Sequence, residues 1–114
     1  ASRDPLSGNI FENIVVLEAM KSRLNDNKEP NLYYVRTEKG LEVDLILKKE
    51  GFLIPYEIKS SMTPNTDFSK SMRRFCSCEP ASKGINVIYC GESYDTYQEC
   101  KYIHYQEVAS SIRN

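Results

Sequence analysis

Apolar residues first crowd and then alternate along this chain, and the change of period marks its elements. Over residues 7–27, Ile10, Phe11, Ile14, Val15, Val16, Leu17, Ala19, Met20 and Leu24 recur at helical spacing, and no proline interrupts them. Ser7 or Asn9 is the expected cap. Stepped around a helix, these positions cover nearly the whole circumference through the middle turns. The helix is therefore expected to lie deep against the rest of the domain. Glu12 falls on the same flank as Val16 and Ala19, where a carboxylate without a partner is costly.

Beyond a polar break at residues 25–31, the period shortens to that of strands. Residues 32–36, 41–47 and 52–59 are the three runs, separated by turns at residues 38–40 and 48–51. Such short connections imply an antiparallel meander. A polar loop at 60–64 and a cap at Asn65 or Thr66 lead into a helix over 67–77, with Phe68, Met72 and Phe75 on one face. Residues 85–90 form a short buried strand. A loop over 91–98, a strand near 101–104 and a short helix finish the chain. A helix between the third and fourth strands makes that pair parallel. The fold class that follows is α/β, a mixed sheet of about five strands flanked by helices.

Length and composition narrow the picture. The 114 residues suit one domain spanning 1–114, large enough to fold without disulfides or a structural metal. No apolar run reaches membrane-spanning length, so no membrane partner is expected. The net charge of −1 argues against indiscriminate nucleic-acid binding, which draws its affinity from a basic excess. The four cysteines lack zinc-site spacing and the chain has one histidine, so free thiols in a reducing cytoplasm are the expectation. The opening Ala1-Ser2-Arg3-Asp4-Pro5, without an initiator methionine, reads as a cut through a longer protein.

Candidate chemistry gathers on the second and third strands. Strict alternation places Glu42, Asp44 and Ile46 on one face, and Glu57 and Lys59 with Leu53 and Pro55 on one face of the next strand. With Leu47 opposite Phe52, Asp44 faces Pro55 and is a diagonal neighbour of Glu57, roughly 7 Å away at Cβ. Pro55, having no N–H, calls for a non-hydrogen-bonded position or a bulge there. Carboxylates so placed repel one another, and either a raised pKa or a cation relieves them. Lys59 is a built-in cation, and magnesium held by carboxylates, backbone and waters would supply the rest. Magnesium beside a lysine suits phosphodiester hydrolysis, the metal orienting a hydroxide and the lysine the phosphate. The plainer readings are a solvated salt-bridged strand face and, for Glu12, a carboxylate favoured by the helix dipole. Lys70, Arg73 and Arg74 fall at i, i+3 and i+4 and could contact a phosphate backbone, though a solvated helix face is the commoner use.

With Glu12 on the first helix, Gly40-x-x-x-Asp44 and Glu57-Ile58-Lys59 in order, the chain resembles the PD-(D/E)XK nuclease superfamily. Gly8-Asn9-Ile10-Phe11-Glu12-Asn13, Asn31-Leu32-Tyr33-Tyr34, Glu42-Val43-Asp44 and Ile54-Pro55-Tyr56-Glu57-Ile58-Lys59-Ser60-Ser61 look, more narrowly, like an uncharacterised family found C-terminal to the ATP-binding module of bacterial and archaeal AAA-type ATPases. Val43 stands where the superfamily's name has proline, a position that varies among its members. The resemblance implies a restriction-endonuclease-like fold and a magnesium or manganese cofactor held by Asp44, Glu57 and Glu12. Lys59 completes the catalytic set it implies. It further implies an N-terminal ATPase domain as partner, nucleic acid as a candidate substrate and a cytoplasmic location. The alternative is a non-catalytic binding or regulatory module that keeps the fold.

Overall fold

The computed structural model describes residues 5–97 and 100–113. Helix α1 spans Pro5–Asn25, two residues earlier than the expected start, so Ser7 and Asn9 fall inside it. Proline is tolerated in a first helical turn, where its missing N–H would have had no partner. The helix stops where Asn27 turns left-handed at φ 57°. The Asn27 and Lys28 N–H groups then donate back to the Leu24 and Arg23 carbonyls.

Strands β1 (Leu32–Arg36), β2 (Glu42–Lys49) and β3 (Phe52–Ile58) form the antiparallel meander. A 3-10 turn at Thr66–Ser69, capped by the Asn65 side chain, leads into α2 (Lys70–Cys78). Strand β4 (Asn86–Tyr89) follows, then β5 (Tyr94–Tyr97), β6 (Cys100–His104) and α3 (Val108–Arg113). The sheet has six strands in the order β1-β2-β3-β4-β6-β5, with β3–β4 and β4–β6 parallel. Strand β5 was expected as loop. It survives as an edge strand by pairing irregularly with β6. Gln98, the end of that expected loop, lies outside the described residues, as do residues 1–4 of the opening segment.

Helices cover both faces of the sheet. On one, Val15 and Ala19 of α1 and Val108 and Ile112 of α3 pack on Leu45, Leu47, Tyr56, Ile58, Ile88 and Ile103. On the other, Met72 and Phe75 of α2 pack on Val43, Ile46, Val87 and Tyr102. Helix α1 is less submerged than its composition implied: Ile10, Ile14, Leu17 and Leu24 are exposed. One stripe of the helix meets the sheet and α3, and among the described residues no further layer covers the opposite stripe.

Two local departures set the geometry of the site. Lys49 pairs with Phe52 across Glu50 and Gly51, whose φ angles of 54° and 84° make a tight two-residue turn. Leu47 therefore faces Ile54 rather than Phe52, and the whole register moves by two residues from the expected one. Secondly, Tyr33 pairs with Ile46 but Val35 pairs with Val43, so two steps of β1 span three of β2. Asp44 and Leu45 occupy this bulge opposite Tyr34. Strict alternation breaks there: Val43 and Ile46 face α2, while Leu45 and Leu47 face α1. Asp44 and Ile46 consequently do not share a face as expected. Pro55 pairs with Ile46, and its carbonyl accepts from Asn86 Nδ2 of β4 at 3.0 Å. Its missing N–H thus points toward β4 and leaves the β2 ladder whole.

Candidate metal centre

The ladder between β2 and β3 ends at Leu45–Tyr56. Beyond it, the Asp44 carboxylate reaches across the widening gap, and its Oδ2 accepts the Ile58 N–H at 2.8 Å. The bulge thus turns an acid into the last rung of the ladder, an arrangement that holds its orientation without a rotamer search. On β3, Glu57 is only 9% exposed. One of its oxygens meets Lys59 Nζ at 3.3 Å. The other, Oε1, is buried and has no hydrogen-bond partner among the described residues. Lys59 continues β3 toward β4 by donating its N–H to the Ile88 carbonyl. Its half-exposed ammonium also lies 5.9 Å from the centre of the Phe68 ring.

Electrostatics tie these groups to α1. Burial and then the Asp44 charge push the Glu57 pKa up to about 7, against the opposing pull of Lys59. Burial also raises Asp44, although the Ile58 N–H works the other way. Glu12 is raised by burial first and by Asp44 second. All three carboxyls therefore resist ionisation, in each case first through lost hydration; the Asp44 charge adds to this at Glu57 and Glu12, and the Glu42 charge adds to it at Asp44.

Glu12 and Asp44 also line one end of a cavity of about 370 Å³ between α1 and the β1–β2 edge. Glu12, Val16 and Met20 form its helical wall, and residues 32–36 and 42–45 its strand wall. Arg36 pairs there with Glu42 at 3.6 Å, and its guanidinium lies 5.8 Å from the centre of the Tyr34 ring. Glu57 and Lys59 do not line this cavity. Nor do Lys70, Arg73 and Arg74: Lys70 pairs with Asp67 at 3.6 Å, and Arg73 bonds the Ser69 hydroxyl at 3.0 Å. The sequence offers Tyr34, with Tyr33, Tyr89 and Tyr94, as a ring able to stack on a base, although filling and edging a sheet is the commoner use of tyrosine. Arg36 escapes a sequence reading, its sole signal being its position on the strand beside the Asp44 run. Val16 packs against the core as expected and also lines this cavity with Met20, the two lying four and eight residues beyond Glu12.

Among the described residues, no group of three or more His, Cys, Asp or Glu side chains stands close enough to form a complete metal cage. The donors do suit a hard cation that keeps several waters, as magnesium does with one or two carboxylates. Asp44 is held in place, and Glu57 offers a buried oxygen with no partner.

The model of one family, described as a domain of unknown function (DUF4143), matches residues 7–108. The chain belongs to the DUF4143 family. The match takes in α1, the whole meander, α2 and the sheet through β6, so Glu12, Asp44, Glu57 and Lys59 all fall within the DUF4143 domain. No curated protein and no solved structure matches the chain. Among the described residues of this DUF4143 domain, no helix is long and apolar enough to cross a membrane.

Proposed function

We propose that this domain is a PD-(D/E)XK-type module of a larger ATPase, with a magnesium-dependent site acting on nucleic-acid phosphodiesters. One observation carries the reading: Glu57 buries an unpartnered carboxylate oxygen beside Asp44. Such an atom costs stability unless a proton or a cation answers it. In this reading Asp44 and Glu57 hold the cation, and Glu12 orients a water from the α1 side. Magnesium or manganese, when bound, supplies Lewis-acid stabilisation of the phosphate and lowers the pKa of a water. Lys59, half exposed, leaves Glu57 to position the attacking water and to meet the charge that develops on the phosphate.

A second reading, a non-catalytic binding or regulatory module of the ATPase, is favoured by the exposed Ile10, Ile14, Leu17 and Leu24 stripe and by the lack of a three-acid cage among the described residues. Cleavage of labelled single- and double-stranded DNA and RNA separates the two. The nuclease reading expects cleavage that requires magnesium or manganese and falls about 100-fold or more in Lys59→Ala, the scale of losing a proton-handling group. Absence of cleavage with either metal on every substrate moves the assignment to the second reading.

A further inference from the structure

The cavity beside the acids is larger than a metal site needs, and much of its wall is apolar. At about 370 Å³ it lies at the small end of the range for sites that enclose small molecules. Val16, Met20 and Leu32 supply apolar wall, while Glu12, Glu42 and Asp44 supply three carboxylates against one guanidinium, that of Arg36. Arg36 is already engaged with Glu42. A phosphate is therefore repelled from the interior. What fits is a flat, uncharged ring that can donate hydrogen bonds. Tyr34, which lines the cavity and is 70% exposed, offers such a ring a stacking face. The Glu42 carboxylate accepts the kind of exocyclic N–H that cytosine or adenine presents.

We infer that this cavity is a nucleobase pocket, so that the strand enters the site unpaired, one base between α1 and β1 and the neighbouring phosphodiester beyond the cavity, where a cation held by Asp44 and Glu57 would answer its charge. A base inside a duplex shows no free face for stacking, its exocyclic amine is reachable only from the major groove, and the cavity has no room for a helix. This inference rests on the nuclease reading above, naming its substrate as single-stranded or splayed nucleic acid.

Equilibrium binding of short labelled oligonucleotides in calcium, which holds the strand without relying on turnover, tests it. The probes are a cytosine- and adenine-containing single strand, the same strand with abasic sites, and its duplex. The intact single strand is expected to bind about tenfold tighter than the other two, in line with the loss of one stacked base. Tyr34→Ala and Met20→Trp, both at surface positions, are expected to erase the difference between intact and abasic strands, the first by removing the ring and the second by filling the cavity. Equal affinity for intact and abasic strands, with both weakened by Asp44→Asn, overturns the pocket and leaves the metal-dependent phosphodiester reading standing. No binding of any probe, in calcium or magnesium, overturns both.

Discussion

Glu57 is the residue where sequence and environment conflict most. A carboxyl that titrates near 4.5 in the open is pushed up to about 7 by burial and by Asp44. The folded domain therefore holds this proton more tightly than the unfolded chain. Its contribution to stability is fully present below about pH 4.5 and is lost as the pH rises through about 7, a change of roughly 3 kcal/mol for a shift of this size. Asp44 and Glu12, both raised, add in the same direction. Denaturant unfolding of the metal-free domain is thus expected to show stability falling across this window, with the slope flattened in Glu57→Gln. A slope unchanged by that substitution contradicts the burial argument. The residues of this site were legible because acid, acid and lysine recur at strand spacing on adjacent strands. The orphaned Oε1 and the Ile58 bond were not, since both depend on where β2 and β3 part.

At the scale of elements, the meander, the α2 face and the parallel β3–β4 pair follow from hydrophobic period and connection length. The register did not follow. Glu50 adopts a left-handed conformation that its residue type gives little reason to expect, and this shortens the turn and moves every cross-strand partner by two places. The bulge at Asp44 is likewise invisible to a period-two reading, yet it aims the acid. The segment after Lys59 is fixed from a distance. The Cys90 N–H donates to the Ser61 carbonyl, and Gly91 lies so close to the Met62 carbonyl and the Tyr89 ring that an added Cβ has no room. Gly91→Ala is expected to destabilise the domain by about 2 kcal/mol, the usual scale of overpacking, because the nearest obstacle is backbone. Thermal unfolding measures it, and a change below a few tenths of a kcal/mol contradicts this packing.

For the whole molecule, the layered α/β architecture was readable because each face of the sheet carries its own apolar set. The exposed stripe on α1 was not, because an apolar residue announces burial without naming what buries it. The cation site proposed for this molecule lies where β2 and β3 part, with Asp44 held by the Ile58 N–H and Glu57 burying an oxygen that has no hydrogen-bond partner among the described residues. Calorimetric titration of the wild-type domain and Asp44→Asn with magnesium and then manganese tests it most directly, manganese being included for its tighter binding to such sites. The account predicts saturable binding by the wild type, tighter for manganese and lost in Asp44→Asn. No heat of binding from the wild type at millimolar metal, or equal binding by the variant, contradicts it.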